Sequence, residues 1–336
     1  MSRTVVVDAD VLGRRRTGDE TYVASVLREL GRLETDLRFV ALTRRPELVP
    51  DGIEPYRLDA RLQEARMAFA VPLALRRIGP DLAHFQYVVP PFFRGRAVVT
   101  IHDLSYERDP SLMPRKDRFM FRTFVPRAAR RARRVLTVSQ RTRSDLEQLY
   151  DVPPQKIVVT PNGVDARFAP GGEPGGYALF VGAVQARKDP LAALEAASSA
   201  GLRLVVAGPE KEPSLARALR ERGADVRGHV TDDDLGTLYR EAAVLIFPSR
   251  YEGFGLPVLE AMASGTPVVA SDDEAVREVA GDAALYADRA ALGATVRRAL
   301  DERPQLVAAG LERARQFSWA ETARRTLAVY EEVLCE

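Results

Sequence analysis

The chain has 336 residues, 46% hydrophobic and 29% charged, with a formal net charge of +2. That length exceeds one ordinary core, so two domains are expected, and so small a charge gives no ground for a nucleic-acid partner. The single cysteine, Cys335, excludes an internal disulfide framework and a cysteine metal cluster.

No apolar run is long enough to span a bilayer, and Met1-Ser2-Arg3 is not followed by a signal peptide's apolar stretch. A cytoplasmic enzyme is the expectation. Lysine occurs only at 116, 156, 188 and 211, arginine supplying every other basic position. Arginine clusters are discounted accordingly, and Lys188 carries the more weight.

Thr4 to Asp10 reads as a strand, followed by a loop from Val11 to Asp19 and a helix from about Glu20. In that helix Tyr22, Val23, Val26, Leu27 and Leu30 recur at helical spacing. Strands then follow at Arg38 to Leu42, near Tyr56-Arg57-Leu58, at Leu82 to Phe85, Ala97 to Ile101, Val135 to Val138 and Lys156 to Thr160. Helices are expected at Leu62 to Ile78, Lys116 to Arg133 and Arg141 to Tyr150. The Gly/Pro-rich stretch from Pro161 to Gly176 reads as a linker. A second series places strands at Tyr177 to Val181, Leu202 to Ala207, Asp225 to Val230, Val244 to Phe247 and Pro267 to Ala270. A helix from Trp319 to Leu334, started by Ser318, closes the chain. Alternating strands and helices imply an α/β protein of two Rossmann-like, doubly wound parallel sheets. Two such domains leave a cleft, with ligands expected beyond the carboxyl ends of the strands.

The most informative stretch runs from Ile246 to Met262. The apolar strand stops at Pro248, a turn holds Glu252, Gly253 and Gly255, and a helix begins around Pro257, where a missing N–H costs nothing. Free backbone N–H groups and the helix dipole there point the same way, which suits a phosphate. Glu252 and Glu260 are expected to border one pocket, and carboxylates accept hydrogen bonds from diols, so a sugar nucleotide fits. The loop after Val181 delivers Arg187 and Lys188, a bidentate and a point-charge partner for phosphate, against the bland reading of a solvated loop. His102-Asp103 ends a strand and reads either as a proton-handling or hydroxyl-binding pair, or as a capping Asp beside a structural histidine. His84 reads as core or wall, the stretch Phe85 to Phe93 reads first as packing and second as a sugar-binding wall, and His229 lies near where a base would rest.

The pair Gly253-x-Gly255 begins like a dinucleotide fingerprint, but Val258 takes the third glycine position, which leaves an NAD enzyme weakly supported. The pairs Asp8-x-Asp10 and Asp272-Asp273 are uninformative alone, no metal-ligand spacing appears, and no metal is expected. The cluster Arg127 to Arg134 follows an aromatic stripe and reads first as a solvated face, second as a contact with an anionic membrane.

Together these residues resemble the GT-B glycosyltransferases of glycosyltransferase family 4 over nearly the whole chain. The most specific carrier is Glu252-Gly253-Phe254-Gly255-Leu256-Pro257-Val258-Leu259-Glu260. Thr100-Ile101-His102-Asp103-Leu104, Pro161-Asn162-Gly163-Val164-Asp165, Val181-Gly182 with Arg187-Lys188, and Ala207-Gly208-Pro209 support it. The chain is most similar to members that transfer mannose in polysaccharide and O-antigen assembly. The resemblance implies an acceptor domain over 1–165 with a crossing-back helix at about 319–336, and a donor domain over 166–318. It implies that Glu260 holds the ribose hydroxyls and that Glu252 faces the donor sugar. Gly253, Phe254, Gly255 and Leu256 would give N–H groups to sugar and phosphate, and Arg187 and Lys188 would neutralise the leaving diphosphate. His102 would touch the transferred sugar, and the backbone near Val230 the base. Two departures stand out: Ala183 replaces an arginine common in the family, and Gly18-Asp19-Glu20-Thr21-Tyr22 replaces Gly-Ile-Gly-Arg-Tyr, which turns this loop toward the acceptor.

The expected function is therefore a retaining, metal-independent transferase moving a hexose, best mannose from GDP-mannose, to a glycan or lipid-linked acceptor. It would use no cofactor and work in the cytoplasm or at the inner membrane face. A UDP-sugar epimerase of the same fold and a non-catalytic nucleotide-sugar binder are the alternatives.

Overall fold

The computed structural model describes residues 2–14, 18–59, 66–109, 115–173 and 175–336. The chain divides into two compact units, Met1–Gly163 with Trp319–Glu336, and Val164–Ser318. The expected boundary at 165 lies two residues further on.

Unit 1 holds strands β1 (Thr4–Asp8), β2 (Arg38–Thr43), β3 (Glu54–Arg57), β4 (Leu82–Gln86), β5 (Ala97–Ile101), β6 (Arg134–Thr137) and β7 (Ile157–Val159). They form one parallel sheet in the order β3-β2-β1-β4-β5-β6-β7. The winding runs outward from β1 to β3 and then restarts at β4 on β1's other side. That reversal opens a crevice at the carboxyl ends of β1 and β4. Runs such as Thr4-Val5-Val6-Val7 are buried on both faces, which is why they lack polar alternation. The helix Asp19–Leu30 buries Tyr22, Val23, Val26, Leu27 and Leu30 along one stripe, the set its spacing predicts.

The tail helix Trp319–Cys335 belongs to unit 1 and packs against Asp19–Leu30, burying Trp319, Val329, Tyr330 and Val333. It also claims part of the arginine cluster. Arg134 reaches Glu332 at 2.5 Å and Glu336 at 2.6 Å, and Arg133 lies 3.9 Å from Glu336. Arg131 donates to the Pro91 carbonyl at 2.9 Å. The first reading of this cluster as a solvated face therefore holds only in part, because two of its arginines tie the chain's last residues to the start of β6.

Unit 2 holds β8 (Tyr177–Val181), β9 (Arg203–Ala207), β10 (Asp225–Gly228), β11 (Val244–Phe247), β12 (Val268–Ala270) and β13 (Leu285–Tyr286), parallel in the order β10-β9-β8-β11-β12-β13. Its reversal falls between β8 and β11. Each unit has its own core, Phe85, Val99 and Ile101 among the residues of the first, Phe180, Val206 and Ile246 among those of the second.

Several expected bounds move for local reasons. Lys156 sits in a 3-10 turn, Pro154–Lys156, because Pro153 and Pro154 fix φ, so β7 starts at Ile157. β10 stops at Gly228, whose φ of +68° turns the chain away, leaving Val230 two residues beyond the strand. β13, two residues long, falls below what an apolar pattern reveals. The expected helix Leu62 to Ile78 lies partly outside the described residues; its described part is a π turn, Arg66–Ala70, running into the α-helix Val71–Ile78. The Gly/Pro stretch is not slack: Val164 bridges to Ser318, Phe168 packs edge-on against Tyr239, and Arg167 pairs with Asp232 at 2.5 Å.

Candidate active site

The loops that leave β8 and β11 flank the reversal in the second sheet, and they carry the residues singled out for the donor. Gly182 and Gly208 let the ends of β8 and β9 close together: a Cβ on Gly208 would lie 2.1 Å from the Gly182 carbonyl oxygen. The β8 loop then tightens into the 3-10 turn Ala186–Lys188. Asp189 follows at φ +46° and caps the helix Pro190–Ser199.

This geometry sets Arg187 and Lys188 against the turn after β11. The Lys188 ammonium bonds Glu252 Oε1 and lies 5.2 Å from the Phe247 ring centroid. Arg187 donates to the Tyr251 carbonyl and lies 3.7 Å from Glu252 Oε2, while the Arg250 N–H returns to the Arg187 carbonyl at 3.0 Å. Glu252 is buried, and burial alone would raise its carboxyl. Lys188 and Arg187 outweigh that and hold it below the ordinary value. Its N–H donates to Asp273 Oδ2 at 3.3 Å. Two cations thus face one glutamate.

Beyond Glu252 the N–H groups of Gly253, Phe254, Gly255 and Leu256 have no acceptor among the described residues. Gly255, at φ +109°, starts the helix Leu256–Ala263, and Pro257 sits in its first turn. Four open donors at a helix N-terminus form a cradle for an anion or for sugar oxygens.

Glu260 projects from that helix into a different environment. It accepts from the Tyr239 hydroxyl at 2.8 Å and is 9% exposed. Burial pushes its carboxyl up to about 7, against the pull of the Tyr239 hydrogen bond; Asp232 and Asp165 add to the rise and Arg167 opposes it. The two glutamates, expected to border one pocket, have separate partner sets. His229 is exposed and Val230 half-buried after β10. An open depression of about 600 Å³ lies on the β12–β13 side, bordered by Asp189, Arg250, Asp272, Arg277, Tyr286 and Arg289. Its charges answer one another, Arg289 to Asp189 at 3.0 Å and Arg277 to Asp272 and the Tyr286 ring.

Unit 1 places His102 just beyond β5. Its Nε2 lies 3.0 Å from Gln86 Oε1, and its ring is held between Tyr22, edge-on at 4.8 Å, and Tyr87 at 5.5 Å. Burial lowers its pKa, and Asp19 and Asp103 partly oppose that. Asp103 itself caps a turn, accepting from the Ser105 N–H at 3.0 Å and hydroxyl at 2.9 Å, so the pair splits into a poised imidazole and a structural carboxylate. His84 is a core histidine, bonded to the Tyr330 hydroxyl at 2.6 Å and to Thr100 Oγ1 at 2.7 Å; burial drives its pKa down to about 3. Both acids of Asp8-x-Asp10 are taken by arginines: Arg66 reaches Asp8 at 2.8 Å, and Arg44 reaches Asp10 at 2.7 Å. In the first loop Glu20 accepts from the Gly13 N–H at 2.6 Å.

Three of these partnerships escaped the sequence reading. Tyr239 carries no local signal, since only the fold brings its helix to Glu260. Asp273 sat in a pair set aside as uninformative, although it is an N-cap, accepting from the Ala275 and Val276 N–H groups at 3.0 and 3.2 Å. Gln86 lay one residue beyond the expected end of β4.

Comparison with known proteins agrees with this layout. Residues 16–168 match the family described as Glycosyltransferase Family 4, and residues 175–302 match Glycosyl transferases group 1. O-antigen chain mannosyltransferase B of Escherichia coli is 33% identical over 326 residues, covering 88% of this chain and 83% of that protein. MMP alpha-(1->4)-mannosyltransferase of Mycolicibacterium hassiacum is 34% identical over 232 residues, 62% of this chain and 56% of that protein. Among solved structures, sucrose-phosphate synthase from Thermosynechococcus elongatus superposes with a TM-score of 0.81 at 19% identity, covering 99% of both chains. WaaG, a glycosyltransferase involved in lipopolysaccharide biosynthesis, gives 0.75 at 15% identity over 97% of this chain and 99% of that one. Two parallel-sheet units with open donors at the second sheet's reversal, and a relative matched along most of its length, identify the chain: it belongs to glycosyltransferase family 4 and has the GT-B fold.

Proposed function

We propose that the protein is a retaining glycosyltransferase that moves mannose from GDP-mannose to a glycan or lipid-linked acceptor, without a metal. The reading rests above all on the pairing of Lys188 with the buried Glu252 beside the four open N–H groups of Gly253 to Leu256. The mannosyltransferase names of the two relatives support the choice of sugar. Arg187 and Lys188 take the charge that builds on the diphosphate as the glycosidic bond breaks. Glu252 and the open N–H groups bind the hexose hydroxyls and phosphate, Glu260 the ribose diol, and the backbone near Val230 the base. His102 contacts a hydroxyl of the transferred sugar. The acceptor attacks the face that the phosphate leaves, and the phosphate oxygen takes the acceptor's proton.

A thermal-shift series with GDP, UDP, ADP and their sugars tests the donor. Ligand at 100-fold its Kd stabilises the folded state by about 2.7 kcal/mol, so GDP and GDP-mannose should raise Tm where the others do not. A response to UDP compounds alone overturns the donor choice. Turnover unchanged by EDTA and an α-configured product are expected; loss with EDTA, restored by Mg²⁺, counts against the metal-independent step.

A lipid-linked acceptor would bring the enzyme to a membrane at the inner face. Among the described residues no helix is long and apolar enough to cross one, so contact would be peripheral. The outward face of Arg115–Arg131 fits this use: Phe119 is 70% exposed and Met120 40%, among Arg115, Lys116, Arg127 and Arg130. Co-sedimentation with vesicles containing phosphatidylglycerol is expected, at least about fivefold weaker after Phe119→Ser with Met120→Ser, each buried apolar side chain contributing on the order of 1 kcal/mol. Equal retention by purely zwitterionic vesicles would remove this surface from the proposal.

A further inference from the structure

Two features next to each other at the carboxyl end of β4 cost stability. Tyr87 has φ +60°, and the Val88 N–H bonds the Gln86 carbonyl at 2.6 Å, so Tyr87 is the centre of a γ-turn in the left-handed region. Among the described residues the other non-glycine positions with positive φ, Asp151 and Asp189, are short polar side chains at helix ends, where this conformation is ordinary. A tyrosine there is not. Gln86 supplies the second cost: its Nε2 is buried and has no hydrogen-bond partner among the described residues. Strain and an unsatisfied buried amide gather where function requires a fixed geometry.

Both features converge on His102. The Tyr87 ring packs on the imidazole at 5.5 Å and on Phe121 at 5.3 Å, and Tyr22 meets the imidazole edge-on at 4.8 Å. Gln86 Oε1 faces His102 Nε2 at 3.0 Å, and with the amide in this orientation the oxygen accepts and Nε2 carries the proton. In the neutral ring Nδ1 then holds the lone pair, and it has no partner among the described residues. Such an Nδ1 accepts a hydrogen bond from a hydroxyl and repels a phosphate oxygen.

We propose that Gln86, carried on the strained Tyr87 turn, is a positioning residue that fixes His102 in the Nε2–H form, so that Nδ1 accepts a hydrogen bond from a sugar hydroxyl. The ligand half of this inference rests on the sugar-transfer reading above; the tautomer half does not. The hydroxyl is expected to be the transferred sugar's, and the two probes below separate it from one of the acceptor sugar.

The chain has three histidines, so imidazole ¹⁵N NMR resolves them. At pH 7.5 His102 is expected to give a single Nε2–H pattern, and Gln86→Leu to give a mixture of both tautomers. Gln86→Glu, which keeps an oxygen acceptor, should keep the Nε2 proton and move His102's titration upward, since a third carboxylate joins Asp19 and Asp103 while His84 stays neutral. GDP-mannose and methyl α-D-mannopyranoside are then added separately, and the one that shifts the Nδ1 signal names the source of the hydroxyl. In turnover Gln86→Leu should lower kcat about tenfold or more with nucleotide KM little changed. An unaltered tautomer in Gln86→Leu overturns the positioning role. An Nδ1 signal indifferent to both sugars overturns the hydroxyl assignment. Failure of the GDP thermal shift with the tautomer result intact would count against the donor choice alone.

Discussion

Replacing Lys188 with alanine is expected to lower donor turnover by about 10²- to 10³-fold, the usual cost of losing one preorganised charge that meets the transition state. The same change should destabilise unit 2 by on the order of 3 kcal/mol, because it leaves Glu252 buried with only the Ser249 hydroxyl and Arg187 at 3.7 Å to answer it. The pH dependence carries the sign of the pair. In the native protein Glu252 is held below its ordinary value, so its contribution is present above the unfolded-state value of 4.5 and is lost as pH falls through the folded one. Without Lys188, burial prevails and the carboxyl rises. Stability should then fall as pH rises above the unfolded-state value of 4.5. Adding Glu252→Gln removes the stranded charge, so the double variant should recover most of the lost stability and none of the turnover. That non-additivity separates a folding role from a chemical one. Wild-type turnover in Lys188→Ala would remove the residue from the reaction.

Why Lys188 and Glu252 were legible in advance, and the partnerships of Tyr239 and Gln86 were not, is a matter of range. Strand, glycine turn and helix start from Val244 to Ala263 are consecutive, so their geometry follows from local rules, Pro257 and Gly255 fixing the helix start. Lys188 drew attention through scarcity and through its place after a buried strand. Tyr239 and Glu260 are 21 residues apart and on different helices; no periodicity couples them. Gln86 and His102 meet only because β4 and β5 pair in register, Gln86 opposite Thr100. Arg134 read as part of a basic face because its partners, Glu332 and Glu336, lie about two hundred residues away. The alternation of strands and helices gave two doubly wound sheets. Strand ends depended on single residues such as Gly228, and β13 was too short to be seen.

Glu260 should make nucleotide binding depend on pH across neutrality. Its carboxyl rises from an ordinary 4.5 to about 7 through burial, so the folded protein keeps a proton there that the unfolded chain has lost. Between those values the folded state binds more protons, and stability must fall as pH rises, levelling off above about 7. The decline amounts to roughly 3 kcal/mol if this group acts alone. Glu260→Gln cannot ionise, so its stability should be nearly flat over the same window and exceed that of the native protein at pH 8. Binding should behave in the opposite way. A ribose diol offers two hydroxyl donors, and the ionised carboxylate accepts both while Tyr239 still donates to Oε2. The nucleotide therefore selects the ionised form, its affinity rising from pH 6 to pH 8 with a proton released on binding near pH 6.5. Calorimetry in two buffers of different ionisation enthalpy counts that proton. Glu260→Gln trades one acceptor for an amide donor and should weaken GDP by about 10- to 100-fold, since hydrogen bonds to a charged group contribute about 1.5–3 kcal/mol. Affinity that ignores pH, with no proton released and Glu260→Gln binding GDP as tightly as the native protein, would move the ribose away from Glu260.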